Sequence, residues 1–188
     1  MSASESNSDK LWDDFRKGSI ESFERIYREN AKVLLTYGRK INSDRQVVFD
    51  IVHELFSQIW AKRASLGPTV SIRNYLLKAL RTSLYRTSQK SNNFNLEFLL
   101  YENESDFFES RESEIISIEK TETQRKLVKR AIVELSKREQ EVIHLKFFEN
   151  MNIEEISNVL GIKYQSVKNT SHSAIQKLKK FFKSHDLK

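Results

Sequence analysis

The last fifty residues leave this chain the fewest ways to fold. Leu135-Ser136-Lys137-Arg138-Glu139 opens an apolar-periodic run to Phe148. Asn152-Ile153-Glu154-Glu155-Ile156-Ser157-Asn158-Val159-Leu160-Gly161-Ile162 follows, and then a long basic stretch from Lys163 to Lys183. The pattern predicts three helices with two short breaks. Ser136 with Glu139 has the spacing of a capping box, in which each side chain satisfies a free backbone N–H of the other. Asn152 with Glu155 repeats the device. Gly161 falls where the second helix must stop and turn, a place that calls for the left-handed conformation. Ile153, Ile156 and Leu160 share one helical face, as do Val167, Ala174 and Leu178. Small Ser157 stands where the two helices would approach most closely. This is the spacing of a helix-turn-helix, whose second helix enters the major groove of DNA. The face opposite Val167 carries Gln165, Lys168, Asn169 and His172, then Lys177, Lys179 and Lys180. The competing reading is an ordinary helical hairpin with a solvated basic face.

Composition narrows the class. One proline and four glycines in 188 residues are too few for a turn-rich β fold, so the expected class is all-α. The absence of cysteine excludes disulfides and thiol chemistry and fits a reducing compartment. No apolar run reaches membrane-span length, and the N-terminus, with Glu5 and Asp9, does not read as a signal peptide. The expectation is a cytoplasmic protein that is not membrane-embedded. A net charge of +6 favours a polyanionic partner. That charge is segregated. Residues 1–90 hold 16 Lys/Arg against 10 Asp/Glu, residues 91–119 hold one against eight, and residues 120–188 hold 15 against eight. Two basic domains at 9–90 and 120–188, joined by an acidic linker at 91–119, are expected.

In the N-terminal half, residues 1–8 are Ser-rich and read as disordered. A short helix is expected from Asp9 to Arg16, ending at Gly18. Ser19 can cap a second, whose apolar stripe runs through Phe23, Ile26, Tyr27, Val33, Leu34 and Tyr37. Ser43 can cap a third, from Asp44 to about Arg63, and Gly67-Pro68 breaks the chain. Ser71 can cap a fourth, from Ile72 to about Ser88. The third helix is apolar on more than one side, from Val47 to Trp60, so it is either central or also carries a partner surface. Asp50, His53, Glu54 and Gln58 occupy its remaining face. The fourth helix interleaves Arg73, Lys78, Arg81, Arg86 and Lys90 with Tyr75 and Tyr85. Such a mix suits an unstacked nucleic-acid strand, or a solvated helix whose tyrosines pack on neighbours. In the linker, Phe94, Leu96, Phe98, Leu99, Leu100, Phe107 and Phe108 are too many for an inert tether. The segment is nonetheless expected to be mobile near 91–114.

At this level the chain resembles a family. Asp50-Ile51-Val52-His53-Glu54-Leu55-Phe56-Ser57-Gln58-Ile59-Trp60 resembles the core-binding helix of bacterial sigma factors of the extracytoplasmic-function group. Ile72-Arg73-Asn74-Tyr75-Leu76-Leu77-Lys78-Ala79-Leu80-Arg81 resembles that family's next helix, which recognises and melts the downstream promoter element. Glu134-Leu135-Ser136-Lys137-Arg138-Glu139-Gln140-Glu141-Val142-Ile143 and the Glu155-to-Lys168 segment are similar to its final helix-turn-helix. The resemblance spans roughly residues 10–90 and 120–183. Thr82-Ser83-Leu84-Tyr85-Arg86-Thr87-Ser88 replaces the family's Asn, Asp and paired basic residues, and Lys163 stands where it places a Ser or Thr cap.

The resemblance implies an alternative sigma factor that binds RNA polymerase core and directs promoter-specific initiation. Asp50, His53, Glu54, Phe56, Gln58 and Trp60 would dock on the clamp helices of the largest polymerase subunit. The loop Arg63–Val70 and the helix carrying Arg73, Asn74, Tyr75, Lys78 and Arg81 would hold an extruded non-template base. On the recognition helix, Lys168 suits guanine or phosphate, and Gln165 or Asn169 suits adenine. Lys177, Lys179 and Lys180 would contact phosphates. An anti-sigma factor is an implied partner. No catalysis, cofactor, metal or small-molecule substrate is implied.

Two rival readings are an operator-binding regulator with the same helix-turn-helix and an enzyme such as a nuclease. The latter needs convergent carboxylates or histidines. His53, His144, His172 and His185 are scattered in sequence without metal-ligand spacing.

Overall fold

The computed structural model describes the backbone of residues 3–90 and 126–185, and the side chains of 9–87 and 126–185. The acidic linker and its expected mobility lie outside the described residues. Among the described residues every regular element is helical, as the all-α expectation requires. The N-terminal unit contains α1 (Ala3–Arg16), α2 (Ile20–Ile41), α3 (Arg45–Lys62), a 3-10 turn (Arg63–Ser65) and α4 (Ile72–Lys90). The C-terminal unit contains α5 (126–133), α6 (Lys137–Phe147), α7 (Ile153–Leu160) and α8 (Tyr164–His185).

The helix ends follow local chemistry. Ser19 caps α2 by accepting from the Ser22 N–H at 3.1 Å, after Gly18 turns the chain at φ +102°. Ser71 caps α4 through the Asn74 N–H at 3.3 Å. The cap of α3 is Asp44 rather than the expected Ser43. Its carboxylate accepts from the N–H groups of Gln46 and Val47, which a charged acceptor at the positive helix end does at least as well as a hydroxyl. Helix α1 begins at Ala3, six residues before the expected Asp9. No large apolar residue lies between Ala3 and Lys10 to betray it by periodicity.

Helix α2 packs against α1, α3 and α4, and α3 packs against α4. Ile26, Leu34 and Tyr37 of α2 meet an interior that includes Val48, Val52 and Leu80. An aromatic layer closes one end: Phe15 lies 5.0 Å from Trp12 and 6.0 Å from Phe23, whose ring lies 5.0 Å from Trp60. Helix α3 resolves its apparent excess of apolar residues by burying Val48, Val52, Leu55, Phe56 and Ile59 while leaving Phe49 46% exposed.

Gly38 on α2 is a point of close approach. A Cβ built there would stand 2.6 Å from Val48 Cγ1, with Leu84 and Leu80 at 3.6 and 3.7 Å. Three helices close over a missing side chain.

In the C-terminal unit α6 packs on α8, with Leu135, Ile143 and Ala174 as a buried cluster backed by Ile175 and Leu178. The capping box at Ser136 and Glu139 is complete, and it reaches further than the sequence suggests. The buried Glu139 carboxylate also accepts from Ser173 Oγ and Lys177 Nζ, each at 2.8 Å. Burial alone would raise the Glu139 pKa, but hydrogen bonds from Lys177, Ser173 and Ser136 outweigh it and lower the value to about 2. Lys177, expected as a phosphate contact, is therefore held by Glu139.

Two predictions follow from these contacts. Gly38→Ala gains up to about 1 kcal/mol in helix propensity but must displace Val48, at roughly 1–3 kcal/mol of overpacking. Thermal unfolding should show a lowered Tm, and a raised Tm would show that Val48 moves aside freely. Glu139 binds its proton more weakly folded than unfolded, so its contribution is present above about pH 4.5 and is lost as pH falls toward about 2. Glu139→Gln should lose about 1.5–3 kcal/mol at neutral pH and flatten this acid limb, as read by unfolding of the full chain across that range.

Candidate nucleic-acid and partner interfaces

The C-terminal turn is built from backbone geometry. Asn152 and Glu155 form the expected reciprocal cap on α7: the Glu155 N–H donates to Asn152 Oδ1 at 2.9 Å and the Asn152 N–H to Glu155 Oε2 at 2.8 Å. Gly161 adopts φ +65° with open space where a Cβ would stand, so conformation and not crowding requires glycine. The Ile162 N–H reaches back to the Ser157 carbonyl at 3.2 Å, the longer bond of a Schellman stop. Ser157 Oγ donates to the Ile162 carbonyl, so the small residue staples the turn. Lys163 stands at the entry to α8. Its carbonyl accepts from the Val167 N–H at 3.2 Å, while its side chain has no acceptor with which to cap.

On α8, Val167, Ser171 and Ala174 are buried, and Gln165, Lys168, Asn169 and His172 are exposed. These four share one helical stripe. From Gln165 to His172 the rise is about 10 Å, a length suited to a major groove about 12 Å wide. Gln165 Nε2 donates to Asn169 Oδ1 at 2.9 Å, one turn along. Lys179, Lys180 and Lys183 continue the stripe toward the C-terminus by helical register, whereas Ser173 and Lys177 flank it on the side that meets α6.

The outer face of α3 presents Asp50, His53, Glu54 and Gln58 to solvent. Two hydrogen bonds order it: Gln46 Nε2 to Asp50 Oδ1 at 2.8 Å, and Gln58 Nε2 to Glu54 Oε1 at 2.7 Å. Phe56 is 3% exposed, with its ring 4.6 Å from Tyr27 and 6.2 Å from Phe23. It supports this face from beneath and does not form it. Trp60 is half-buried under the Arg63 guanidinium, 4.3 Å from the ring centre. Sequence reasoning left Tyr27 and Phe49 out of this surface, yet both remain exposed beside His53, at ring separations of 6.3 and 4.3 Å. Three aromatic rings at solvent on two helices are its most apolar part.

On α4 the expected set divides. Asn74, Lys78 and Arg81 share a stripe with Tyr85 by helical register, and the Arg81 guanidinium lies 4.2 Å from the Tyr85 ring centre. Tyr75 is rotated off that stripe. Its ring packs 5.4 Å from Trp12, and burial pushes its hydroxyl pKa up. Arg73 lies off the stripe on the other side. The structure thus brings three of the five residues together. Among the described residues no three His, Asp or Glu side chains gather as a metal site, and no described helix is long and apolar enough to cross a membrane.

Against known proteins, the family model "Sigma-70, region 4" matches residues 131–180, which contain the capping box, the Gly161 turn and the α8 stripe. No curated protein matches by sequence. Among solved structures, CnrH in complex with the cytosolic domain of CnrY superposes with a TM-score of 0.62 at 16% identity, covering 94% of this chain and 97% of that one. The sigma factor RpoE, in complex with the anti-sigma factor NepR from Bartonella quintana, superposes with a TM-score of 0.60 at 18% identity, covering 87% and 98%. Residues 131–180 thus match the sigma-70 region 4 family model, and the described residues share their helical fold with the solved structures of CnrH and of the sigma factor RpoE.

Proposed function

We propose that the chain is an alternative sigma factor, which binds RNA polymerase core and directs initiation at a specific set of promoters. The observation that carries this reading is the coincidence of the region 4 match with an exposed polar stripe on α8, the helix that follows the capped α7 and its stapled turn. Helix α8 reads the upstream promoter element through Gln165, Lys168, Asn169 and His172. The outer face of α3, with Asp50, His53, Glu54 and Gln58, docks on the clamp helices of the largest polymerase subunit, and Trp60 borders that contact. Helix α4 and the loop before it take the downstream element, with Asn74, Lys78 and Arg81 facing the opened strand. The chemistry of synthesis belongs to the polymerase. An anti-sigma factor is the natural regulator of such a chain, by analogy with the RpoE–NepR pair, and the cytoplasm is its place of action.

Run-off transcription tests this directly. Purified core should initiate at a cognate promoter only when this chain is added. Asp50→Arg should weaken core binding about tenfold, ~1.4 kcal/mol, with Tm unchanged because Asp50 is exposed. A variant that binds core as tightly as the parent would remove α3 from the interface.

Promoter choice supplies a second test. Asn169→Ala should cost about 1–3 kcal/mol at one base position. A lysine that contacts phosphate, such as Lys179 or Lys180, should when truncated weaken all promoters alike and lower the salt dependence. Lys168→Ala distinguishes the two behaviours at its own position. Unchanged promoter preference in both the Lys168 and Asn169 variants would rule out α8 as the reader. Strong sequence-specific binding by the free chain would instead favour an operator-binding regulator.

A further inference from the structure

The segment between the 3-10 turn and α4 is short, exposed at its tip and tied at its base. Val70 is 99% exposed, and Gly67 and Pro68 are exposed beside it. An apolar side chain so fully in water gains nothing for the fold. The backbone around it is nonetheless held at several points. The Leu66 N–H donates to the Arg63 carbonyl at 3.3 Å. Thr69 Oγ1 donates to the Ser71 carbonyl at 3.1 Å and accepts from the Ser71 N–H at 3.3 Å.

The remaining tie is long-range. Trp12 of α1 is 1% exposed, and its indole N–H donates to the Gly67 carbonyl at 2.9 Å. The same ring packs 5.0 Å from Phe15 and 5.4 Å from Tyr75, so it touches the core, the loop and the first turn of α4 at once. Phenylalanine could fill much of that space. Only an aromatic ring carrying a donor also fixes the position of a carbonyl at the loop tip.

We propose that Trp12 is a positioning residue for the 66–70 segment, setting through the Gly67 carbonyl the place where Val70 meets an extruded non-template base. This rests on the sigma-factor reading and extends it to a helix that carries none of the residues expected at the DNA. A loop held in its binding conformation avoids the ordering cost of capture, so loosening it weakens the contact it makes and leaves distant contacts alone.

The test uses the full chain with polymerase core and promoters varied one base at a time along the opened strand. Trp12→Phe keeps an aromatic ring against Phe15 and Tyr75 and deletes the donor. It should lower initiation roughly fivefold, the effect of losing one intramolecular hydrogen bond. The loss should concentrate as reduced discrimination at a single base of the opened element. Core affinity and preference at the upstream element should stay at parental values. If phenylalanine leaves a gap that impairs folding, site-specific benzothienylalanine at position 12, which puts sulfur in place of the N–H in an isosteric ring, should give the same single-base loss. Parental discrimination at every base of the opened element overturns the proposal. So does an equal fall in core affinity, upstream preference and downstream discrimination, which would mark Trp12 as core packing only. A parent chain that supports no initiation would instead sink the sigma-factor reading itself.

Discussion

One carboxylate at the start of α6 receives four hydrogen bonds: from the N–H and hydroxyl of Ser136 on its own helix, and from Ser173 and Lys177 on α8. The C-terminal unit depends on this convergence. A buried carboxylate without partners would be driven to take up a proton. With four donors it stays ionised and ties the beginning of one helix to the middle of another 34 to 38 residues later. The apolar contacts among Leu135, Ile143 and Ala174 are non-directional and permit α8 to rotate or slide. The two donors on α8 do not, because they lie one turn apart and must both meet the same group. The azimuth of the exposed polar stripe on α8 is thus set by an interaction on its flank.

The N-terminal unit is organised by closeness in place of charge. At Gly38 the backbone of α2 comes within reach of side chains from α3 and α4. The outward face of α3 can then carry exposed aromatic and acidic groups without weakening the interior. Burial of Phe56 beneath Tyr27, whose ring in turn lies beside His53, makes that outer surface a layer resting on core side chains.

Features governed by nearby residues were legible in the sequence. Ser19, Ser71, Ser136 and Asn152 cap the helices they were expected to cap, because a cap involves groups within three residues. Gly161 sits in the left-handed region for a reason that is also local. The stripe of Gln165, Lys168, Asn169 and His172 could be read because a helix places its own faces. The features missed share a different origin. Gly38 looks like a weak helix residue until three helices are assembled around it. Lys177 looks like another surface cation until Glu139 is brought beside it. Of the two readings open for Tyr75, Trp12 selects the one in which the ring packs on a neighbour, and Phe56 reads as a surface anchor until α2 covers it. Each depends on partners that chain order alone does not identify. The Asp44 cap was a closer matter, since Ser43 and Asp44 are adjacent and both competent.

The hydrogen bond between Gln165 and Asn169 gives α8 an internal partner for its own polar groups. In α8 these two amides satisfy each other in part, so under the proposed function neither would approach DNA empty-handed. Any base edge that engages one must compete with its neighbour on the helix, and a base that satisfies one amide while stranding the other returns little net free energy. Only a sequence offering complementary edges to both recovers more than was given up. On the proposed function the pair would thereby act as a threshold on recognition, lowering affinity for all DNA while widening the gap between a matched site and a near miss.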